Sequence, residues 1–123
     1  MKKIFLLCIL SVVITTGFLW RAFAKPNRFG AFTLIPRAEV AALIAEPQKY
    51  LGRTVEIEGI ITEQCQTMGC YFFFRSGKQQ LRVDLQEIAM NAPRHEGGKA
   101  RVQGQIVHYS DGYQFYASAV EFE

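Results

Sequence analysis

The 123-residue sequence predicts a mainly β fold, a small barrel of five strands preceded by one short helix. Two observations support this prediction. Residues 55–122 contain five strand-like stretches, and in the first, third and fourth of them apolar and polar side chains alternate, as on a strand with one buried face. Glycines interrupt the first and fourth of these stretches, at Gly59 and Gly104, where the strands of a small barrel must bend.

The first 24 residues differ from the rest and are predicted to be a signal peptide for export. Lys2 and Lys3 give a positively charged start, a long apolar segment follows, and Ala22-Phe23-Ala24 is a small-x-small cleavage site. The apolar segment is also at the short limit for a membrane span, so an uncleaved inner-membrane anchor is the alternative. We therefore expect a periplasmic or secreted protein that begins at Lys25.

Removal of the leader changes the charge and the cysteine content. The full chain has 14 Lys and Arg against 11 Asp and Glu, a net charge of +3. Lys2, Lys3 and Arg21 lie in the leader and every acidic residue follows it, so the mature chain is neutral. Because phosphate contacts dominate nucleic-acid affinity, a neutral exported chain argues against a nucleic-acid partner. Two cysteines remain, Cys65 and Cys70, and an even number in an exported chain predicts a disulfide.

The mature chain is predicted to begin with an irregular segment, residues 25–35, followed by one domain over residues 36–123. A short helix is expected at the start of this domain, because Pro36 suits a first helical turn and Pro47 ends the pattern. Three apolar side chains recur between them at helical spacing on one face: Val40, Leu43 and Ile44. Such a short helix needs tertiary packing to persist.

The five strands follow in order. They are predicted at residues 55–62, 71–75, 81–85, 100–106 and 113–122. Residues 76–78 and 110–112 are hairpin turns, and residues 86–91 can form one helical turn between the third and fourth strands. Five antiparallel strands with a break after the third are typical of the OB-fold, a five-stranded Greek-key barrel. A flat meander and an SH3-like barrel are the alternatives.

The candidate functional residues of the sequence are concentrated in one loop. Residues 65–70 are Cys-Gln-Thr-Met-Gly-Cys and connect the first two predicted strands, so the cysteines face each other across the strand ends. Modest closing of the loop would bring the two Cβ atoms to the separation that a disulfide needs. The alternatives are a redox-active dithiol, two inert thiols, or a Cu(I) site formed by the three soft sulfurs of Cys65, Met68 and Cys70.

The surroundings of this loop follow a recognisable pattern. A strand at residues 55–62 leads to Cys65, and Gly69-Cys70-Tyr71 then opens the next strand. This arrangement resembles a family of small exported bacterial OB-fold proteins of unknown function, in which a strand leads to a cysteine and then to Gly-Cys-Trp. The resemblance covers residues 47–109, with Tyr71 in place of the usual Trp. It implies an OB-fold, an exported location and a distinctive cysteine loop, but no reaction.

Aromatic side chains mark a possible ligand surface at the loop end of the barrel. Tyr71 and Phe73 share one face of the second strand and Phe72 and Phe74 the other, so one pair belongs to the core. OB-folds bind ligands on a face framed by the first and fourth interstrand loops. The residues expected to form this surface are Met68, Tyr71, Phe73, Tyr109 and Tyr113.

No arrangement of side chains in the sequence indicates catalysis, so we expect a protein that is not an enzyme. His95 lies in a polar loop and His108 ends a strand beside a turn, and both are predicted to be solvated. The same is expected of Glu56 and Glu58, which alternate outward on the first strand. The predicted function is a binding or accessory module of the cell envelope that contacts a protein partner or a small ligand and needs no cofactor. The alternative is a copper- or thiol-handling protein that uses the three sulfur residues of the loop.

Overall fold

A computed structural model describes residue 8 and residues 27–65, 70–89, 92 and 94–123. The predicted signal peptide lies outside these residues except for Cys8. The strands are β1 (Arg28–Gly30), β2 (Thr54–Gln64), β3 (Tyr71–Ser76), β4 (Gln79–Asp84), β5 (Lys99–Tyr109) and β6 (Gly112–Phe122). The helix α1 (Val40–Ala45) and a 3-10 helix (Pro47–Tyr50) lie between β1 and β2.

Strands β2 to β6 close into a barrel in the order β2-β3-β4-β6-β5, with β5 paired back to β2. Four of these pairings are antiparallel, but β4 and β6 run parallel. The expectation of antiparallel strands throughout is wrong for this pair, because an odd number of strands cannot alternate in direction around a closed barrel. The predicted fold class, an OB-fold-like Greek-key barrel with a short N-terminal helix, is confirmed.

The inward-facing side chains fill the barrel with a hydrophobic core. The largest side chains with almost no exposed surface include Phe72, Phe74, Phe115 and Phe122. The helix α1 adds Leu43, which is fully buried against the same cluster. Burial of each such side chain stabilises the fold by about 1.5–3 kcal/mol relative to exposure. Because Phe72 and Phe74 belong to the core, the alternating side chains of β3 lie on the outside of the barrel.

The segment before α1 is attached to the barrel rather than irregular throughout. Strand β1 pairs with the end of β6. Further along, the amide of Ala38 donates to the carbonyl of Glu56, and the amide of Glu56 donates to the carbonyl of Pro36, each at 2.9 Å. Because residues 36–38 are extended against β2, α1 begins only at Val40, later than the sequence predicts.

Glycine allows two close approaches in the barrel wall. A Cβ on Gly104 would overlap the carbonyl oxygen of Tyr116 and lie 2.9 Å from the Cα of Ala117, and the register of β5 against β6 shifts at this glycine. A Cβ on Gly59 would lie 3.0 Å from the ring of Phe74. Gly104 therefore lies opposite a bulge whose extra residue, Ser118, belongs to β6, whereas Gly59 makes room for a core ring.

Glu56 lies on the outer face of β2 but is only 7% exposed, because the segment before α1 covers it. Its carboxylate accepts hydrogen bonds from Arg37 Nε at 2.9 Å, Gln103 Nε2 at 3.0 Å and Arg101 Nη1 at 3.1 Å. Gln103 in turn bonds both backbone polar groups of Thr33. The prediction that Glu56 is solvated is therefore wrong. Alternation shows only that a side chain points away from the core, and it does not show whether another segment of the chain covers that side chain.

Burial alone would raise the pKa of Glu56. The hydrogen bonds from Gln103 and Arg37 and the charge of Arg101 outweigh it, so this pKa lies below the ordinary value of 4.5. Beside it, the half-buried Glu58 has a lowered pKa because it is ion-paired with Lys99. The charged groups on this side of the barrel therefore neutralise one another.

The buried carboxylate of Glu56 should make stability depend on pH. Its folded pKa lies below the ordinary 4.5, so its contribution is complete above that value and is lost as the pH falls through the folded pKa. We expect Glu56→Gln to lower the free energy of unfolding at neutral pH by about 1–3 kcal/mol and to flatten its decrease in acid. Urea unfolding at neutral and acidic pH measures both effects.

The matched control is Glu46→Gln, because Glu46 forms an exposed ion pair with Lys49 at 2.7 Å. It should change the free energy of unfolding by less than about 1 kcal/mol at either pH. Equal effects of the two substitutions would contradict the role assigned to the covered carboxylate.

The bulge of β6 opposite Gly104 predicts a second outcome. Gly104→Ala should lower the free energy of unfolding by about 3 kcal/mol, because the new methyl group meets the backbone of β6. Gly112→Ala is the control, since a Cβ there has no atom of the described residues within 4 Å, and it should cost less than about 1 kcal/mol. Thermal or urea unfolding gives the comparison, and wild-type stability of Gly104→Ala would rule out this packing.

Candidate functional site

The outer face of β3, β4 and β6 carries a group of aromatic and polar side chains close to the cysteine loop. We call it the Arg82 surface. It consists of Tyr71 and Phe73 on β3, Arg82 on β4, Tyr109 at the end of β5 and Gln114 on β6. The barrel brings these five residues together because Phe73 pairs with Arg82 across β3 and β4, and β6 lies on the other side of β4.

Arg82 is the centre of this surface. Its guanidinium carbon lies 4.1 Å from the centroid of the Tyr71 ring and 4.7 Å from that of Tyr109. Its Nε donates a hydrogen bond to Gln114 Oε1 at 3.1 Å. Each cation–π contact of this kind contributes roughly 0.5–2 kcal/mol. Two rings and one amide therefore hold the guanidinium in place on the outside of the barrel.

A chain of hydrogen bonds extends from Arg82 along the seam between β4 and β6. Gln114 Nε2 donates to Asp84 Oδ2 at 3.3 Å, and the amide of Gln86 donates to Asp84 Oδ1 at 2.8 Å. At the end of this seam, a hydrogen bond to Glu87 raises the pKa of Tyr116 to about 12. Asp84 and Glu87 are thus both engaged by neighbouring groups beside the Arg82 surface.

Cys65 and Cys70 lie at the facing ends of β2 and β3, where backbone hydrogen bonds fix both. The amide of Cys65 donates to the carbonyl of Tyr71 at 2.9 Å, and the amide of Leu85 donates to the carbonyl of Cys70 at 2.7 Å. A hydrogen bond with the Cys65 thiol, together with burial, raises the pKa of Cys70, while the charge of Arg82 opposes the shift. The two sulfurs are therefore adjacent, as the spacing predicts, although they are not covalently linked in this structure.

Three of the five residues predicted to form the ligand surface lie together: Tyr71, Phe73 and Tyr109. Tyr113 instead packs against the core and lies 5.0 Å from the ring of His108. Met68 falls outside the described residues. The sequence prediction missed Arg82, although an arginine that alternates with core residues beside a strongly aromatic strand was a usable signal.

The loop before β5 folds over the barrel beside the cysteines. The His95 ring stacks on Phe122 at 4.5 Å, so the prediction that His95 is solvated is wrong, whereas His108 is exposed as expected. The backbone amide of His95 donates to Gln64 Oε1, and Glu96 accepts from the amide of Gln64. An open cleft lies between this loop and the Arg82 surface, lined by Glu63, Gln64, Cys65, Tyr71, Phe73, Arg94 and Glu96.

Two further observations concern metals and membranes. Within the described ranges, no three His, Cys, Asp or Glu side chains come together as a group that could hold a metal ion. Met68, the third sulfur of the predicted Cu(I) set, is outside those ranges, so the copper alternative stays a prediction. In the part of the chain that the structure describes, no helix has the length and apolar character needed to span a bilayer.

Comparisons with known proteins support the fold. No protein-family model matches the chain, and no curated protein matches it. Among solved structures, the chain is similar to the hypothetical protein ygiW from E. coli, with a TM-score of 0.53 and 11% sequence identity over 76% of this chain and 100% of that one. At this identity the similarity shows the fold alone, and the chain shares the OB-fold-like barrel of this small bacterial protein.

Proposed function

We propose that this chain is an exported binding or accessory module of the cell envelope, and that the Arg82 surface contacts its protein partner or small ligand. The observation that carries the proposal is Arg82 held against Tyr71 and Tyr109 on the outside of the barrel. In OB-folds the second and third barrel strands form the ligand-binding face, framed by the first and fourth loops. Those strands are β3 and β4 here.

The exposure of the Arg82 surface favours binding over a purely structural role. Tyr109 is 45% exposed, and Tyr71, Phe73 and Arg82 are half-buried rather than covered by another segment. Aromatic and arginine side chains held in this way supply much of the energy in recognition sites. The neutral mature chain argues against a nucleic-acid ligand, and no catalytic role is assigned to these residues.

The proposed surface can be located by photo-crosslinking in living cells. Benzoyl-phenylalanine at position 73 should give a specific adduct after irradiation, identified by mass spectrometry, because Phe73 lies within the proposed contact area. The same residue at position 60 is the control, since Ile60 is 52% exposed but lies on β2 outside the surface. Adducts of equal yield at both positions would contradict the proposal, whereas loss of the position-73 adduct in Tyr109→Ala would support it.

The proposal includes a disulfide between Cys65 and Cys70 in the exported protein. The adjacent thiols support it, since little movement is needed to join them. An envelope disulfide would accept the two electrons and two protons that the thiols lose. The loop-entropy treatment assigns about 2 kcal/mol to a ring of this size. The bond would hold the loop of residues 66–69 closed next to Tyr71.

The intact mass of protein purified from the periplasm tests both export and oxidation. We expect a chain that begins at Lys25 and resists alkylation until reductant is added. Reductant should then lower the free energy of unfolding by about 2 kcal/mol in the wild type and leave a Cys65→Ala, Cys70→Ala double variant unchanged.

Other results of these experiments would support an anchored domain or the copper-handling function. A membrane-bound species that retains residues 1–24 would indicate an anchored domain. Two thiols that alkylate without reductant, bind Cu(I) and lose it in Met68→Ala would instead support the copper-handling function.

A further inference from the structure

We propose that Arg82 is an anion-binding residue, whose two Nη groups receive a carboxylate or phosphate group of the ligand. This inference rests on the proposed binding surface and names the chemistry of what it binds. It starts from the charge of the guanidinium, which neighbouring side chains hold in place and with which no carboxylate of the described residues forms an ion pair.

Arg82 differs from the other arginines of the barrel. No carboxylate oxygen of the described residues lies within 4.0 Å of its nitrogens. The arginines that do form ion pairs with glutamate are Arg28, Arg37, Arg94 and Arg101. Arg53 and Arg75 also have no such pair among the described residues, but both are exposed to water, whereas Arg82 is half-buried. A half-buried charge gains more from an external counter-ion, because water screens it less.

The nearest acidic groups do not contact the guanidinium of Arg82 directly. Both oxygens of Asp84 accept hydrogen bonds, from the side chain of Gln114 and the backbone of Gln86. Glu63 pairs with Phe73 on the far side of β3, so it stands two strand spacings from Arg82, about 9–10 Å. Cys70 is close, but it carries no charge at neutral pH, either as a thiol with a raised pKa or in the proposed disulfide. Asp84 reaches Arg82 only through Gln114, so no carboxylate of the described residues forms a direct ion pair with the guanidinium.

The geometry of Arg82 leaves one edge for a ligand. Nε is bonded to Gln114, and the rings of Tyr71 and Tyr109 lie against the guanidinium. The two Nη groups keep their N–H donors in a planar fork, which matches two oxygens of a carboxylate or phosphate. The rings restrict the guanidinium before the ligand arrives, so less rotamer entropy is lost on binding. Phe73 offers an apolar contact for the part of the ligand next to its anion.

Small aromatic probes distinguish the contribution of a ligand's anionic group to binding from the contribution of its aromatic ring. Benzoate, phenyl phosphate and neutral benzamide are titrated into the 15N-labelled protein, and the Arg82 Nε–H signal and the backbone amides of β3 and β4 are followed by NMR. Benzoate or phenyl phosphate should shift these signals, with an affinity at least about tenfold above that of benzamide, because a charged hydrogen bond is lost with benzamide. The anion that binds with the higher affinity, benzoate or phenyl phosphate, shows whether a carboxylate or a phosphate is the preferred group.

Matched variants test whether the anion sits on Arg82. Arg82→Gln should weaken anion binding by about tenfold or more, whereas Arg75→Gln, which removes an exposed charge from the same face of β3, should change it less than about twofold. Phe73→Glu places a carboxylate opposite Arg82 and should abolish binding of the free anion. Phe73→Gln loses the same ring without adding a charge and should retain the preference for benzoate over benzamide.

The second pair of variants keeps Arg82 in place, so the inference stays testable if Arg82→Gln fails to fold. Equal binding of benzamide and benzoate on this face would overturn the anion-binding role while leaving the binding surface intact. Shifts confined to Arg37 and Lys99, or an unchanged affinity in both Arg82→Gln and Phe73→Glu, would also overturn it. A failure of the proposed surface itself would appear separately, as equal crosslinking at positions 73 and 60.

Discussion

The parallel pairing of β4 with β6 closes the barrel through two residue pairs, Val83 with Phe115 and Asp84 with Tyr116. Five strands cannot alternate in direction around a closed wall, so one seam of this kind must exist. The side chains of Val83 and Phe115 point into the core. On the outside of the same seam, Gln114 and Asp84 form the hydrogen-bonded row that positions Arg82. The Arg82 surface therefore depends on a contact between two strands that are far apart in the sequence.

Charged side chains on the outside of the barrel have two different kinds of surroundings. On β2 and β5, the segment before α1 covers Glu56, and Arg37 and Arg101 neutralise its carboxylate. On β3 and β4, no described segment covers the wall, and Arg82 lies against aromatic rings without an ion pair among the described residues. The first arrangement attaches the N-terminal segment to the barrel, and the second leaves a cation available to something outside the chain.

The cysteine pair and the Arg82 surface are neighbours along the backbone. Cys70 directly precedes Tyr71, whose carbonyl accepts a hydrogen bond from the amide of Cys65, so the cysteine pair adjoins the start of β3. A disulfide would join the ends of β2 and β3 beside the surface. This proximity links the two features that the sequence suggested separately, the cysteine loop and the aromatic face.

The sequence by itself determined the strands and the barrel class, because alternation and glycine placement are local properties. It also placed Cys65 and Cys70 at facing strand ends and three aromatic residues on one face. It could not determine that residues 36–38 extend along β2, that Glu56 is covered, or that His95 stacks on Phe122. Alternation separates the two faces of a strand but does not show which of them another segment covers. The role of Arg82 appears only in the tertiary structure, because its rings and its amide partner come from three other strands.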